Sequence, residues 1–254
     1  MTDALKAILQ DINDVAIAVS GGVDSMTLAY LAAESGVRAE MFHAVSPAVP
    51  KSATARVKEH AEAAGWTLHI VGAGEFDDPD YLKNPVNRCY FCKSNLYTRI
   101  RTATDAIICS GANTGDLGDY RPGLGAAAEK NVRHPFIEAG IDKPAIRALA
   151  AERGLTDLAD LPAQPCLASR VETGIAINAD DLALVDAVET RLAARLGAGD
   201  IRCRVTHSGV RVELPKGALG ADLTDIAEMV NATGRIFVGA APYQRGSAFL
   251  RDAS

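Results

Sequence analysis

Short apolar runs alternate with longer amphipathic stretches along roughly the first 155 residues of the chain. The run Val15–Val19 is uninterrupted, which is typical of a strand buried on both faces of a parallel sheet. Further apolar runs predict strands at 38–43, 67–71 and 106–109. Helical periodicity predicts helices over 26–33, 52–64 and 91–102, and the Gly-, Asp- and Pro-rich stretch 72–90 predicts a loop. Strands that alternate with helices predict an α/β fold with a doubly wound parallel sheet.

The pattern changes towards the C-terminal part of the chain. A long helix is predicted over 180–196, followed by two alternating runs at 201–205 and 210–214 that predict a β-hairpin. A helix near 223–233 and a strand at 235–238 complete a small α+β unit. We therefore predict two domains, residues 1–158 and residues 159–254.

Composition excludes several classes of protein. Hydrophobic residues make up 48% and charged residues 23%, which is ordinary for a soluble globular protein. No apolar run approaches the roughly 20 residues needed to span a bilayer, and no signal peptide is visible. The net charge of -6 argues against a broad nucleic-acid-binding surface. An odd number of cysteines, five, predicts a reducing, cytoplasmic setting with free or metal-binding thiols.

The hexapeptide Ser20-Gly21-Gly22-Val23-Asp24-Ser25 joins the first predicted strand to a helix. Its two glycines let the backbone turn sharply and approach a ligand closely. The loop amides and the helix N-terminus then face an anion, with the hydroxyls of Ser20 and Ser25 as further donors. Asp24 is placed to favour the helix dipole or to hold Mg²⁺. The alternative is a glycine-rich turn with Asp24 as a helix cap. We call Ser20–Ser25 the phosphate loop; it lacks the Gly-Lys-Ser/Thr ending of a Walker A motif.

A Cys-x-x-Cys pair, Cys89 and Cys92, lies where the predicted loop becomes a helix. Such a pair binds zinc, joins an iron–sulfur cluster or forms a redox disulfide. Alternatively, the two cysteines share no role. No second Cys-x-x-Cys is present to complete a four-thiolate zinc site.

Cys166 follows two prolines that favour an extended backbone. The cation of Arg170 would favour the thiolate form of a nearby Cys166, which makes both residues catalytic candidates. The alternative is a small buried hydrophobic residue in a linker. Cys109 and Cys203 lie inside apolar strand patterns and are predicted to belong to the core.

Polar residues follow the fourth predicted strand, at the edge of a parallel sheet where ligands bind. In this segment, Asn113–Gly123, Asp116 and Asp119 are candidate metal ligands, and Arg121 is a candidate partner for a phosphate or carboxylate. The alternative is a turn that is merely rich in Asp and Gly.

Two further basic residues, Arg202 and Arg204, share one face of a predicted strand, opposite the apolar residues. They are candidates to receive the phosphate or the carboxylates of a substrate. The alternative is a solvated sheet face.

The phosphate loop resembles that of N-type ATP pyrophosphatases, the PP-loop enzymes. Several other motifs occur in the order found in the LarE family of ATP-dependent sulfur transferases, which the chain resembles over nearly its whole length. The motifs are Ser20–Ser25, Asn87–Lys93, Asn113–Gly123, Pro165–Arg170 and Tyr243–Ser247.

The resemblance implies that ATP with Mg²⁺ adenylylates a carboxylate of a pyridinium-3,5-biscarboxylic acid mononucleotide, and that sulfur then replaces AMP in the synthesis of a nickel-pincer nucleotide. Cys166 matches the family's sulfur-bearing cysteine, which in one version is sacrificed to dehydroalanine. In a second version three cysteines hold a [4Fe–4S] cluster. We favour the second version, with Cys89, Cys92 and Cys166 as ligands, because the first leaves the Cys-x-x-Cys pair without a role.

The sequence also fits two rival functions. One is thiolation of tRNA by another PP-loop enzyme, which predicts a basic surface. The other is a non-catalytic protein that binds adenine nucleotides. We also expect a small-molecule nucleotide substrate and a homo-oligomer.

Overall fold

The computed structural model describes residues 2–118, 120–197, 199–244 and 246–249. The chain forms two compact units. The first comprises Met1–Asp78 and Cys89–Ala163, and the second comprises Pro79–Arg88 and Gln164–Ser254. The sequence analysis divided the chain after residue 158 and did not predict that Pro79–Arg88 groups with the C-terminal part.

Four parallel strands form the sheet of the first unit. They are β1 (Asp14–Ala18), β2 (Arg38–Val45), β3 (Thr67–Gly72) and β4 (Ile107–Ser110), in the spatial order β3-β2-β1-β4. β1 pairs with β2 and β4 on its two sides, so that Ala18 lies beside both Phe42 and Ser110. All four strands therefore end at one edge of the sheet, and the phosphate loop follows the central strand β1 there.

The α-helices of the described residues are α1 (Asp3–Ile12), α2 (Val23–Glu34), α3 (Lys51–Ala64), α4 (Pro79–Leu82), α5 (Arg88–Arg101), α6 (Pro122–Glu129), α7 (Pro135–Glu138), α8 (Lys143–Ala151), α9 (Thr156–Ala159), α10 (Ala179–Leu196) and α11 (Thr224–Asn231). None of these helices combines the length and the apolar character needed to cross a membrane.

Two apolar clusters cover the two faces of the first sheet. Val15 and Ile17 of β1 belong to a cluster that includes residues of α1, α2, α8 and α9. Ala16 and Ala18, which point to the opposite face, belong to a cluster with residues of α5 and α6. A continuous apolar strand is what such a two-sided core requires, because neither face meets water. The predicted doubly wound α/β fold is confirmed.

A three-stranded mixed sheet forms the second unit. β5 (Arg202–Thr206) and β6 (Gly209–Leu214) are antiparallel, as the predicted hairpin requires, and β7 (Phe237–Pro242) runs parallel to β6. The helix α10 packs against β5. The smaller α+β unit is thereby confirmed, although its last strand begins two residues later than the sequence pattern predicts.

Asn84 explains why Pro79–Arg88 groups with the second unit. It is fully buried at a φ of 54°, and its side-chain amide donates to the carbonyl oxygens of Glu172 (2.9 Å) and Ile175 (3.0 Å). The buried Arg88 donates in turn to Asn84 Oδ1 (2.8 Å). This part of the predicted loop is thus held by buried polar contacts, and it includes the short helix α4.

Candidate nucleotide-binding site

The phosphate loop leaves its helix N-terminus open. Gly22 is the N-cap of α2 and provides no side-chain cap, so the first-turn amides have no side-chain acceptor at this position. Gly21 has a φ of 80°, and a Cβ there would lie 2.8 Å from the carbonyl oxygen of Ala53. The backbone path therefore requires glycine at position 21, and the exposed amides suit an anion.

The serine hydroxyls lie on the inner side of this loop. The backbone N–H of Ser20 donates to Ser25 Oγ (3.0 Å), and the two hydroxyl oxygens are 3.1 Å apart. Ser25 Oγ also donates to the carbonyl oxygen of Gly22 (3.3 Å). Amides and hydroxyls of the loop thus converge on one small region, as a phosphate site requires.

Gly111, the residue after β4, contacts the start of α2 directly. A Cβ on Gly111 would lie 2.6 Å from the backbone nitrogen of Ser25 and 2.8 Å from the carbonyl carbon of Asp24. Only a glycine allows this approach. The end of β4 therefore positions the last two residues of the phosphate loop.

Asp24 lies in the first turn of α2 but does not cap it. Its Oδ2 accepts from Lys143 Nζ (2.5 Å), and its Oδ1 is buried without a hydrogen-bond partner. A buried carboxylate oxygen without a donor is costly, and oxygen is the ligand that Mg²⁺ prefers. Asp24 therefore fits a magnesium ligand better than the predicted alternative of a helix cap. Lys143, on α8, has no sequence signal that links it to Asp24.

Asp116 and Arg121 pair with each other, and their predicted ligand roles stay predictions. Asp116 Oδ2 accepts from the backbone N–H of Asn113 (3.1 Å), and its Oδ1 lies 2.8 Å from Arg121 Nη2. Asp116 thereby closes the turn after β4, which matches the alternative of an Asp-rich turn for this residue. Asp119, the other predicted ligand, lies outside the described residues.

The Cys-x-x-Cys pair lies in the first turn of α5, and both thiols are partly exposed. Lys93, the next residue, acts electrostatically on His134, as does Asp116. His134 Nδ1 is 2.8 Å from Ser110 Oγ, and burial lowers the pKa of this imidazole. Ser110 in turn precedes Gly111, the residue that contacts the start of α2. The sequence analysis did not single out His134.

In the second unit, Arg170 holds the backbone around Cys166. Its Nε and Nη2 donate to the two carboxylate oxygens of Glu189 (2.9 and 2.8 Å), and both side chains are largely buried. Its Nη1 donates to the carbonyl oxygens of Pro165 (2.7 Å) and Cys166 (3.2 Å). These contacts fix the segment that carries the Cys166 thiol, which is itself partly exposed.

Arg202 and Arg204 are buried, so the predicted alternative of a solvated sheet face is wrong. Arg204 is 4% exposed; its Nε donates to Glu213 Oε2 (3.0 Å) and its Nη1 to the carbonyl oxygen of Ser169 (3.1 Å). The guanidinium of Arg202 lies 5.4 Å from the ring centre of Tyr243. The sequence analysis missed Glu213, although an acidic residue in an apolar strand is a signal for a buried partner.

The other two cysteines belong to the core, as predicted. Cys109 and Cys203 are fully buried, and burial raises the pKa of both thiols, that of Cys109 to about 12. Of the cluster candidates, Cys89 and Cys92 lie in the first unit and Cys166 in the second. In the part of the chain that the structure describes, no group of three or more His, Cys, Asp or Glu side chains is placed to hold a metal ion.

A parallel sheet whose central strand leads through Ser-Gly-Gly-Val-Asp-Ser into a helix N-terminus defines a PP-loop nucleotide-binding protein. Among solved structures, NMN synthetase from Francisella tularensis is similar in fold, with a TM-score of 0.51 at 14% identity over 64% of this chain and 76% of that chain. No protein-family model matches the chain.

Two relatives place the chain within this class. The uncharacterized protein slr1717 of Synechocystis sp. is 35% identical over 88% of this chain and 84% of its own length. Pyridinium-3,5-bisthiocarboxylic acid mononucleotide synthase of Lactiplantibacillus plantarum is 30% identical over 85% of this chain and 80% of its own length. The chain belongs to the family of this synthase, the LarE family.

Proposed function

We propose that the protein is an ATP-dependent sulfur transferase that converts a carboxylate of a pyridinium-3,5-biscarboxylic acid mononucleotide to a thiocarboxylate. The observation that carries the proposal is the phosphate loop, with its open helix N-terminus and the unpartnered Asp24 Oδ1, in a chain 30% identical to a synthase of the corresponding bisthiocarboxylic acid. The loop suits a departing pyrophosphate, and Asp24 suits its magnesium ion.

The reaction has two stages. A substrate carboxylate oxygen attacks the α-phosphorus of ATP, pyrophosphate leaves, and an acyl adenylate forms. A sulfur nucleophile then attacks the acyl carbon, and AMP leaves with the electron pair of the broken C–O bond. Adenylylation is needed because a carboxylate oxygen is a poor leaving group, whereas AMP is a good one. Preorganised loop amides stabilise the charge that develops on pyrophosphate.

Cys166 is the proposed sulfur carrier, and Arg170 and Glu189 hold its segment in place. In the sacrificial route, the Cys166 thiolate forms the new thioester, and cleavage of its Cβ–S bond, with loss of the Cα proton, leaves dehydroalanine. The cluster route requires Cys89, Cys92 and Cys166 to share one [4Fe–4S] cluster. Among the described residues, no three His, Cys, Asp or Glu side chains are placed to hold a metal ion, so we derive no step through a cluster.

The test uses anaerobically purified protein with ATP, Mg²⁺ and pyridinium-3,5-biscarboxylic acid mononucleotide. Pyrophosphate, AMP and the thiocarboxylate product are measured, together with iron and acid-labile sulfide. We expect Cys166→Ala to release pyrophosphate but to form no thiocarboxylate. Wild-type protein that releases no pyrophosphate with this acceptor would refute the proposal.

The matched variants Cys89→Ala and Cys92→Ala separate the two sulfur routes. In the sacrificial route they retain one turnover, and wild-type protein ends the reaction with dehydroalanine at residue 166, visible by mass spectrometry. In the cluster route both variants lose iron and thiolation together. Iron-free protein that still thiolates would exclude the cluster route.

A further inference from the structure

The first turns of α3 lie against the phosphate loop, although the proposed chemistry assigns them no role. The backbones of Gly21 and Ala53 are in direct contact, as the 2.8 Å approach of a Cβ on Gly21 to the Ala53 carbonyl oxygen shows. Arg56, one turn from Ala53 on the same helix, reaches back to the loop. Its Nη1 donates to the carbonyl oxygen of Gly21 (2.9 Å).

A second connection joins α3 to the residue just before the loop. His43 of β2 is 1% exposed, with Nδ1 2.8 Å from the carbonyl oxygen of Val19 and Nε2 2.9 Å from Thr54 Oγ1. A carbonyl oxygen only accepts, so Nδ1 carries the proton and Nε2 accepts from the Thr54 hydroxyl. Burial lowers the pKa of His43, which keeps the ring in this neutral form.

These two contacts determine which way the loop amides point. In a trans peptide, the C=O and the following N–H point in opposite directions. The carbonyl of Val19 is held towards His43, and the N–H of Ser20 points to Ser25 Oγ (3.0 Å).

The same holds one peptide further on. The carbonyl of Gly21 is held by Arg56, and the N–H of Gly22 points towards Ser20 Oγ (3.4 Å). Both amides therefore face the inner side of the loop, where its hydroxyls converge. Fixed donors of this kind stabilise developing charge without reorganisation during the reaction.

We propose that Arg56 is a positioning residue for the pyrophosphate leaving group. By holding the carbonyl oxygen of Gly21, Arg56 keeps the N–H of Gly22, which belongs to the same peptide group, directed at the anion. In this role Arg56 acts through the loop backbone. The inference rests on the proposed function, since it requires the loop to bind pyrophosphate. The inference predicts that loss of Arg56 weakens the binding of pyrophosphate but does not weaken the binding of the nucleoside part of ATP.

The experiment compares Arg56→Met with Arg153→Met. Arg153 donates to Glu34, the last residue of α2, whereas the phosphate loop includes the first three residues of that helix. Titration calorimetry measures binding of inorganic pyrophosphate with Mg²⁺ and, separately, of AMP. We expect Arg56→Met to weaken pyrophosphate binding about tenfold, which equals about 1.4 kcal/mol, and to leave AMP binding unchanged. Arg153→Met should leave both unchanged, and Arg56→Lys should recover part of the pyrophosphate affinity.

The outcomes distinguish this inference from the function on which it rests. Wild-type affinity for pyrophosphate in Arg56→Met would refute the positioning role and leave the proposed function intact. Equal losses for pyrophosphate and AMP, with no recovery in Arg56→Lys, would also refute it, because they indicate general damage to the fold. A wild-type protein that binds neither ligand would refute the proposed function and this inference with it.

Discussion

Substitution of Gly111 by alanine tests whether the end of β4 sets the shape of the phosphate loop. The new Cβ would lie 2.6 Å from the nitrogen of Ser25, 2.8 Å from the carbonyl carbon of Asp24 and 2.9 Å from the Cα of Ser25. Optimal separations between non-bonded carbon atoms are about 3.5 Å or longer, so the new Cβ would be too close by about 1 Å. All three atoms belong to backbone, and no side-chain rotation relieves the contact. Either the start of α2 or the end of β4 has to move.

Gly111→Ala should change both the free energy of unfolding and the rate of pyrophosphate release. Overpacking of this kind costs about 1–3 kcal/mol. Alanine also reduces the freedom of the unfolded chain, which offsets about 0.4–1 kcal/mol of that cost. The protein therefore stays folded, with a net loss of about 0–2.6 kcal/mol. A displacement of about 1 Å at a reacting group lowers rates roughly 100-fold, so pyrophosphate release should fall about 100-fold in a protein that stays folded.

Two assays measure the predicted difference. Pyrophosphate release is followed at saturating ATP and Mg²⁺ with the mononucleotide acceptor, and the free energy of unfolding is obtained from urea denaturation. Gly220→Ala is the matched control, because a Cβ at Gly220 meets no atom within 4 Å, the residue does not have a positive φ, and it lies outside the motifs assigned to the site. We expect this control to behave like wild type in both assays. A Gly111→Ala protein that releases pyrophosphate at the wild-type rate would refute the assigned role of the β4–α2 contact.

Three further predictions concern Asp24, the Arg170–Glu189 ion pair and the five cysteines. Asp24→Asn should require at least about tenfold more Mg²⁺ for half-maximal pyrophosphate release, because an amide oxygen lacks the negative charge of the carboxylate; an unchanged magnesium titration would contradict this. Arg170→Met should lower the free energy of unfolding by about 3–5 kcal/mol, since it leaves Glu189 buried without its cation. The double variant Arg170→Met/Glu189→Met, in the same urea experiment, should recover part of that loss. Iodoacetamide at about pH 8 should label three of the five cysteines in the native protein and all five after unfolding, as counted by intact mass. Burial raises the pKa of Cys109, to about 12, and of Cys203, so that their reactive thiolates form only at more alkaline pH. The labelled residues should be Cys89, Cys92 and Cys166.

The sequence predicts the phosphate loop well because its parts are neighbours along the chain. The serine hydroxyls, both glycines and the helix N-terminus occur within six residues, and an uninterrupted apolar run before them identifies a central strand. The groups that hold the loop in shape lie far away in sequence. Arg56 is 35 residues from Gly21, and Lys143 is 119 residues from Asp24. Such pairs are defined only once the sheet order and the helix packing are known.

At the second sheet only the alternative of a solvated face for Arg202 and Arg204 is wrong, and the reason is a related physical one. Alternation along a strand separates two faces but does not say whether each is covered. Arg202 and Arg204 were assigned to a face that is either solvated or ligand-binding. In the structure Arg204 is buried with Glu213 as its counter-ion, at 2.9 Å between Nη2 and Oε2. The charge of Glu213 makes burial of Arg204 tolerable, and this partner comes from the neighbouring strand β6.

The contacts of Arg170 restrict what this residue can do for sulfur transfer. Its Nε and Nη2 are both bonded to Glu189, and its Nη1 donates to the carbonyl oxygens of Pro165 and Cys166. If the guanidinium turned to a substrate, a largely buried Glu189 carboxylate would lose its partner, at a cost of several kcal/mol. Arg170 therefore contributes to the proposed reaction by fixing the backbone that carries the Cys166 thiol, while the thiol itself remains partly exposed. The predicted action of the Arg170 charge on the Cys166 thiol stays a prediction, and these contacts add that Arg170 positions the backbone that carries the sulfur.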